Sequence, residues 1–265
     1  QSVKKNYNIG VFDSGVGGTT VLKRIIELLP NENIIYYGDN GNAPYGEKTT
    51  KEIQGFCLDI MDFFMMNNCK AVVIACNTAT AASLDLIKGR YTVPVIGVIS
   101  PGAKSAVETS TNKCIGVLST PFTAASNAYA DEIAKYSKTA KVYQEGCPEL
   151  CPMIEAGWET FEDRETIIKN HISKFPRNVD TVVLGCTHYP IAREDIAKNF
   201  CGNIVDPAKE TSIALYNTLK NSDLLSDSDA KGKIDFFVSG DKEKFKKVAE
   251  QFLGFEIKAL YKIEK

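Results

Sequence analysis

Two cysteines occupy matching places in the sequence, each after an apolar run and before small polar residues. Cys76 follows Ala-Val-Val-Ile-Ala and precedes Asn-Thr, and Cys186 follows Thr-Val-Val-Leu-Gly and precedes Thr-His. A thiol between the end of a strand and the start of a helix meets backbone N–H donors that favour its thiolate. The pattern predicts that both thiols are reactive rather than only packed in the core.

Two such thiols suit proton transfer better than redox chemistry. Redox pairs usually stand as C-x-x-C, whereas these two are 186 − 76 = 110 residues apart. The ordinary thiol pKa of about 8.5 lets one cysteine act as thiolate and the other as acid near neutral pH. His188, one of two histidines, could help to ionise Cys186 or supply a proton. The other, His171, lies in a helical pattern and is predicted to be a packing residue.

A glycine-rich turn follows the first apolar run and has three possible interpretations. Asp13-Ser14-Gly-Val-Gly-Gly resembles the triplet of an aspartic protease, but that chemistry needs a second Asp-Ser-Gly. It also resembles a dinucleotide fingerprint with Asp39 downstream, but Thr20 stands where the third glycine belongs. We favour an anion-holding turn that directs Asp13 and Ser14 into a cleft.

Two further segments carry candidate site residues. Residues 38–46 are rich in Gly, Asn and Pro, which predicts a loop, and loops at this sheet edge usually contact substrate. Pro44, Tyr45 and Gly46 are the candidates there, although an ordinary connection with a buried tyrosine fits as well. Glu155 precedes a glycine by two residues, and it could equally be a solvated carboxylate at the end of a helix.

Short β-branched runs alternate with longer amphipathic segments along the whole chain, which predicts an α/β fold with parallel sheets. In such sheets ligands bind at the carboxyl ends of the strands. The predicted strands are 9–13, 34–37, 71–75, 94–98, 114–118, 140–144, 180–184, 203–205 and 234–238. The predicted helices are 19–29, 50–66, 78–88, 101–109, 123–135, 162–174, 191–199, 208–220 and 241–252.

An internal repeat predicts two related domains. Ile-Gly-Val-Phe-Asp-Ser from Ile9 resembles Ile-Gly-Val-Leu-Ser-Thr from Ile115, an offset of 115 − 9 = 106, and the two cysteine motifs are offset by 182 − 72 = 110. Two matches at nearly one offset suggest two similar α/β halves. We expect residues 1–97 plus 208–265 to form the first domain and 98–207 the second. If the halves face each other, the two cysteines can flank one cleft.

Composition narrows the classes of partner and compartment. With 31 basic and 33 acidic residues and a net charge of -2, nucleic-acid binding is not expected. The most apolar stretch, 71–82, contains polar residues and is too short to cross a bilayer. Without a signal peptide before Ile9, the eight cysteines are expected to be reduced thiols in the cytoplasm. The nearest pair, Cys147 and Cys151, has poor spacing for a structural zinc site, so no metal is predicted.

Four motifs together resemble the bacterial glutamate racemase family. They cover residues 12–18, 44–46, 75–81 and 185–190, in the family's order and spacing. The resemblance implies two α/β domains related by a pseudo-twofold axis, with substrate in the cleft between them. It implies interconversion of L- and D-glutamate without a cofactor, a supply of D-glutamate for peptidoglycan, and a homodimer.

The resemblance also implies a role for each candidate residue. Cys76 would take the proton from D-glutamate with Asp13 as its helper, and Cys186 would take it from L-glutamate with Glu155 and His188. The implied substrate contacts are Asp13, Ser14, Pro44, Tyr45, Gly46, Asn77, Thr78, Thr120, Thr123, Thr187 and His188. The chain departs from the family at Asn42, where arginine is common, so the electrostatics of that loop should differ.

Two other functions remain open from the sequence. One is a related racemase of the same family that acts on aspartate or another amino acid, although its first glycine turn would differ. The other is a non-catalytic amino-acid-binding protein with a two-lobed cleft, which would not need cysteines at both strand ends.

Overall fold

A computed structural model describes residues 4–264 of the chain. The chain forms two compact units: the first runs through Val98 and resumes at Thr211, and the second is Ile99–Glu210. The strands are β1 (Asn8–Asp13), β2 (Ile34–Gly38), β3 (Cys69–Ile74), β4 (Val95–Gly97), β5 (Cys114–Ser119), β6 (Lys141–Gly146), β7 (Thr181–Gly185), β8 (Asn203–Val205), β9 (Ile234–Val238) and β10 (Leu260–Lys262).

Helices connect the strands in both units. They are α1 (Thr19–Leu28), α2 (Thr50–Met66), α3 (Asn77–Arg90), α4 (Ile99–Thr109), α5 (Pro121–Ser126), α6 (Ala128–Tyr136), α7 (Leu150–Gly157), α8 (Arg164–Ile172), α9 (Arg193–Lys198), α10 (Pro207–Asn221) and α11 (Lys242–Leu253). None of the helices within residues 4–264 combines the length and apolar character needed to cross a lipid bilayer.

The first unit is built on a sheet in which every described strand pairing is parallel. Its order is β10-β9-β2-β1-β3-β4. Strands β1 and β3 consist of buried residues, apart from the first residue of β1, as expected where helices cover both faces of a parallel sheet. The chain leaves β1 toward β2 and later returns to its other side with β3. That switch in direction creates a crevice at the carboxyl ends of β1 and β3, where ligands bind in such sheets.

The second unit repeats the same arrangement with four strands. Its order is β6-β5-β7-β8, again with parallel pairing throughout. Strand β5 therefore corresponds to β1, and β7 corresponds to β3. This confirms the predicted α/β class with parallel sheets, and the sequence motifs that resemble each other lie on these corresponding strands.

Three elements differ from the sequence prediction. The predicted helix 123–135 is two helices, α5 and α6, because Asn127 between them has a left-handed backbone with φ of 57°. Helix α7 is not among the predicted helices, although Pro152 lies in its first turn, where proline is tolerated. Strand β10 has three residues, two of them exposed, so no buried apolar run indicates it in the sequence.

Candidate active site

Cys76 lies immediately after β3 and caps the N-terminus of α3 with its own sulfur. Its Sγ accepts the backbone N–H of Ala79 at 3.3 Å and donates to Ser14 Oγ at 3.6 Å. Burial raises the pKa of this thiol well above its ordinary value, and the negative charge of Asp13 raises it further, against the hydrogen bonds from Ala79 and Ser14. The helix N-terminus therefore does not produce the expected thiolate here, because burial outweighs it. Cys76 is a neutral thiol.

Asp13 closes β1 and is held by the glycine-rich turn that follows it. Its carboxylate accepts the backbone N–H groups of Gly15 at 3.1 Å and Gly18 at 2.9 Å, and the residue is only 1% exposed. A Cβ on Gly18 would stand 2.5 Å from Asp13 Cβ, so the turn requires glycine there. The N–H groups expected to hold an external anion thus bind the protein's own carboxylate, and this corrects that part of the sequence interpretation.

The loop before α2 is anchored on Asp39. In the sequence, this carboxylate was considered only as the downstream acid of a possible dinucleotide-binding motif. Asp39 accepts the hydroxyl of Tyr45 at 2.5 Å, the hydroxyl of Ser239 at 2.6 Å and the amide of Asn42 at 3.0 Å. Tyr45 is buried and stacks on Phe56, whereas its neighbours in the motif, Pro44 and Gly46, are exposed. The polar amide at position 42 therefore helps to fix this loop.

Two other predicted contacts of the first unit lie beside Cys76. Asn77 and Thr78 form the first turn of α3 and are 5% and 4% exposed. The short 3₁₀ helix of the loop, Tyr45–Glu47, packs against α3. The structure thus brings Cys76, Asp13, Ser14 and the Tyr45 loop to one edge of the first sheet.

Cys186 follows β7 and lies in a different electrostatic environment. Its Sγ is 3.3 Å from Cys151 Sγ and 3.8 Å from His188 Nδ1, while His188 Nε2 lies 2.7 Å from a carboxylate oxygen of Glu155. Cys186 and His188 are buried. Glu155, which the sequence left open as a solvated residue, is half exposed but engaged with the imidazole.

These contacts give Cys186 the opposite ionisation to Cys76. The hydrogen bond from the Cys151 thiol lowers the pKa of Cys186; burial opposes this, and the hydrogen bond and charge of His188 lower it further. Burial lowers the pKa of His188, but Cys186 and Glu155 outweigh burial and raise it overall. Cys186 and His188 therefore form a thiolate–imidazolium pair. The side chains of Cys151 and His188 contribute most to this lowered pKa, and a backbone hydrogen bond from His188 adds to it.

The predicted threonines of the second unit lie around the same sheet edge. Ser119, the last residue of β5, pairs with Gly185, the last residue of β7, so Thr120 and Cys186 begin neighbouring loops. Thr120 caps α5 by accepting the backbone N–H of Thr123 at 3.4 Å. Thr123 and Thr187 are buried.

Cys151 is a residue of this site that the sequence analysis missed. It lies on α7 four residues before Glu155, and residues four apart share one face of a helix; that spacing was the available signal. Cys147 points elsewhere, toward the backbone oxygen of Glu145. Ligand atoms of Cys151, Cys186 and His188 all lie within 4.8 Å of one another, so these three could hold a metal ion. His171 is a buried residue bound by the carboxylates of Glu145 and Glu149.

Comparison with known proteins assigns the chain to a class of enzyme. The family model for Asp/Glu/Hydantoin racemase matches residues 9–212. A glutamate racemase of Fusobacterium nucleatum is 48% identical over 263 residues, which is 99% of each chain. The crystal structure of a glutamate racemase isoform from Bacillus anthracis superposes with a TM-score of 0.94 at 37% identity, and that of the Francisella tularensis enzyme in complex with D-glutamate with 0.93 at 37%; each covers 98% of both chains.

The fold and these relatives define an isomerase that acts on amino acids. The chain belongs to the Asp/Glu/Hydantoin racemase family.

Proposed function

We propose that the protein interconverts L- and D-glutamate, with Cys76 and Cys186 as its two acid–base groups. The observation that carries the proposal is that two buried thiols directly follow corresponding strands of the two sheets, β3 and β7, and have different hydrogen-bond partners: Cys76 contacts Ser14 and Ala79, and Cys186 contacts Cys151 and His188. Those surroundings raise the pKa of Cys76 and lower that of Cys186. One base in its thiolate form and one acid in its thiol form is the state that a two-base racemase needs before each turnover.

Conversion of L-glutamate would begin from this state. The Cys186 thiolate takes the α-proton; the C–H bond breaks, and its electron pair stays on the substrate as an enolate-like charge. The Cys76 thiol then donates its proton to the opposite face of the α-carbon. The product is D-glutamate, with Cys186 now a thiol and Cys76 a thiolate. D-glutamate reacts by the reverse path from that second state.

The neighbouring residues support each thiol in this scheme. The imidazolium of His188, oriented by Glu155, stabilises the Cys186 thiolate before the reaction. The charge of Asp13 favours the protonated form of Cys76, which must act as the acid when L-glutamate reacts. By the family's pattern, we propose that the substrate contacts come from Asp13, Ser14, Pro44, Tyr45, Gly46, Asn77, Thr78, Thr120, Thr123, Thr187 and His188.

Glutamate is the proposed substrate because the relatives that align over nearly the whole chain are named glutamate racemases. D-glutamate is bound in the Francisella tularensis structure. We further propose that the product supplies peptidoglycan synthesis in the cytoplasm, and that the enzyme works as a homodimer with domains 1–97 plus 208–265 and 98–207. The reaction as written uses neither a metal ion nor pyridoxal phosphate.

Isotope incorporation tests the proposal directly. Purified protein is incubated with L-glutamate in D2O, without added cofactor, and followed by circular dichroism and proton NMR. At early times D-glutamate should carry deuterium at the α-carbon, because its proton comes from Cys76 after exchange with solvent, while remaining L-glutamate keeps its original proton. Deuterium entering recovered L-glutamate as fast as product forms would indicate a single base and contradict the mechanism.

Matched variants and a second substrate complete the test. Cys76→Ser and Cys186→Ser should each abolish racemisation while the protein stays folded, because a hydroxyl is a much weaker acid than a thiol. L-aspartate under the same conditions should react far more slowly. Faster turnover of aspartate would reassign the substrate within the family, and the absence of turnover with either amino acid would favour a binding protein.

A further inference from the structure

Three potential metal ligands converge beside the proposed acid–base group of the second unit. They are Cys151 from α7 and Cys186 and His188 from the segment after β7. We propose that these three side chains form a binding site for a thiophilic divalent cation, with Zn²⁺ the best fit, and that a bound ion inhibits racemisation.

Two of the three separations between the ligand atoms lie near those of a tetrahedral zinc site, and all three are within 4.8 Å. With Zn–S bonds of about 2.3 Å and Zn–N bonds of about 2.0 Å, two sulfurs lie about 3.8 Å apart and a sulfur and nitrogen about 3.5 Å apart. The observed separations are 3.3 Å between the sulfurs and 3.8 Å between Cys186 Sγ and His188 Nδ1. Each of these two separations differs from the zinc geometry by roughly half an ångström or less.

Glu155 orients the imidazole as it is oriented in metal sites. Its carboxylate binds His188 Nε2 at 2.7 Å, which leaves Nδ1 directed at the cysteines. A histidine that ligates a metal nearly always donates its other ring N–H to a carboxylate, a carbonyl or water. Here that outer partner is present, and a close thiol pair lies on the opposite side of the ring.

The donor set selects the kind of ion. Two thiolates and an imidazole suit zinc and other thiophilic cations, whereas calcium and magnesium require oxygen ligands. Binding would release the Cys151 thiol proton and the Nδ1 proton of the His188 imidazolium to solvent, since the ligands are thiolates and a neutral imidazole nitrogen. Three protein ligands leave a fourth tetrahedral position for water, and Cys151 is the one ligand of the three that is not fully buried.

Occupation of this site would stop the reaction, a consequence that rests on the proposed function. A Cys186 lone pair bonded to zinc cannot accept the α-proton, and His188 can no longer pair with the thiolate. Zinc would thus be a reversible inhibitor and not a cofactor. The binding of zinc itself does not depend on the identity of the substrate.

Metal binding is measured first, with no substrate present. Reduced protein, stripped with a chelator and kept free of oxygen, is titrated with Zn²⁺ by calorimetry and with Co²⁺ by absorption spectroscopy. We expect one ion per chain and a thiolate-to-cobalt charge-transfer band. Glu155→Gln should weaken zinc binding by about 10–100-fold, as loss of an outer partner does, and Cys151→Ser and Cys151→Ala should weaken it by more.

Cys201→Ser is the matched control, because Cys201 is an exposed free thiol of the same unit outside the cluster. It should leave zinc affinity unchanged. The proposal is overturned if zinc binds wild type no more tightly than Cys151→Ser, if Cys201→Ser abolishes binding, or if cobalt gives no thiolate band.

Activity is then compared with and without zinc, each variant against its own metal-free rate. Zinc should inhibit the wild type, a chelator should restore it, and Cys151→Ser should need much more zinc for the same fractional loss. Inhibition that survives chelation and is relieved only by a dithiol would indicate a Cys151–Cys186 disulfide and overturn the metal site. A protein that binds zinc through Cys151 but does not racemise glutamate would support the site and refute the proposed function.

Discussion

Replacing His188 with asparagine should move the acid side of the pH–rate profile to higher pH. Asparagine keeps a hydrogen-bond donor near the position of Nδ1 but removes the positive charge. In the proposed mechanism kcat/KM needs one proton shared between the two thiols, so it falls at low pH as Cys186 becomes protonated and at high pH as Cys76 loses its proton. The lowered pKa of Cys186 and the raised pKa of Cys76 predict a broad plateau for the wild type.

The size of the shift follows from the distance between the two charges. Cys186 Sγ and His188 Nδ1 are 3.8 Å apart. At this distance the attraction between unit charges is about 1 kcal/mol at a dielectric constant of about 80 and about 4 kcal/mol at about 20. Since 1.36 kcal/mol corresponds to about one pKa unit, the acid limb should rise by about 0.8 to 3 units. The direction is upward because loss of the cation disfavours the thiolate and raises the pKa of Cys186.

The assay is kcat/KM for each enantiomer by circular dichroism from about pH 5 to about pH 10, with a chelator present. The two enantiomers have equal free energies, so kcat/KM should be the same for both at every pH. His171→Asn is the control: it removes the other buried histidine, which contacts carboxylates instead of Cys186, and should leave the acid limb in place. An acid limb that stays in place in His188→Asn, or moves to lower pH, would refute the thiolate–imidazolium pair.

Three further substitutions test how the first unit holds its site. Gly18→Ala should reduce activity, and it should lower the free energy of unfolding by about 1–3 kcal/mol because its Cβ would collide with Asp13. Gly15→Ala, with open space around its Cβ, should lower the free energy of unfolding in urea much less. Tyr45→Phe should raise KM and lower stability by about 1.5–3 kcal/mol, since Asp39 loses a buried donor; an unchanged KM would remove this loop from substrate binding. Cys57→Ala should keep full activity, because burial raises the pKa of Cys57 to about 12 and leaves it a packing thiol; a large loss of kcat would contradict that assignment.

The sequence alone predicted the α/β architecture and the position of both cysteines at the ends of strands, because those features are local. Strand–helix alternation and the repeated motifs at 9–14 and 115–120 sufficed for two parallel sheets, and each motif places its polar residues directly after a strand. Neighbouring parallel strands bring their carboxyl ends to one edge. A strand order of β2-β1-β3 is therefore enough to place Asp13 near Cys76 once the elements are known.

Tertiary structure decided the ionisation of the two thiols and the composition of the second half-site. Both cysteines have the same local pattern, yet Cys76 is buried against the Asp13 carboxylate and Cys186 against the Cys151 thiol and the His188 ring. A pKa depends on burial and on charges within a few ångströms. Here one decisive partner of each thiol lies far away in sequence: Asp13 is 76 − 13 = 63 residues from Cys76, and Cys151 is 35 residues from Cys186. Spacing along the chain does not encode such contacts. Only the packing of α7 beside the end of β7 brings two thiols and an imidazole together.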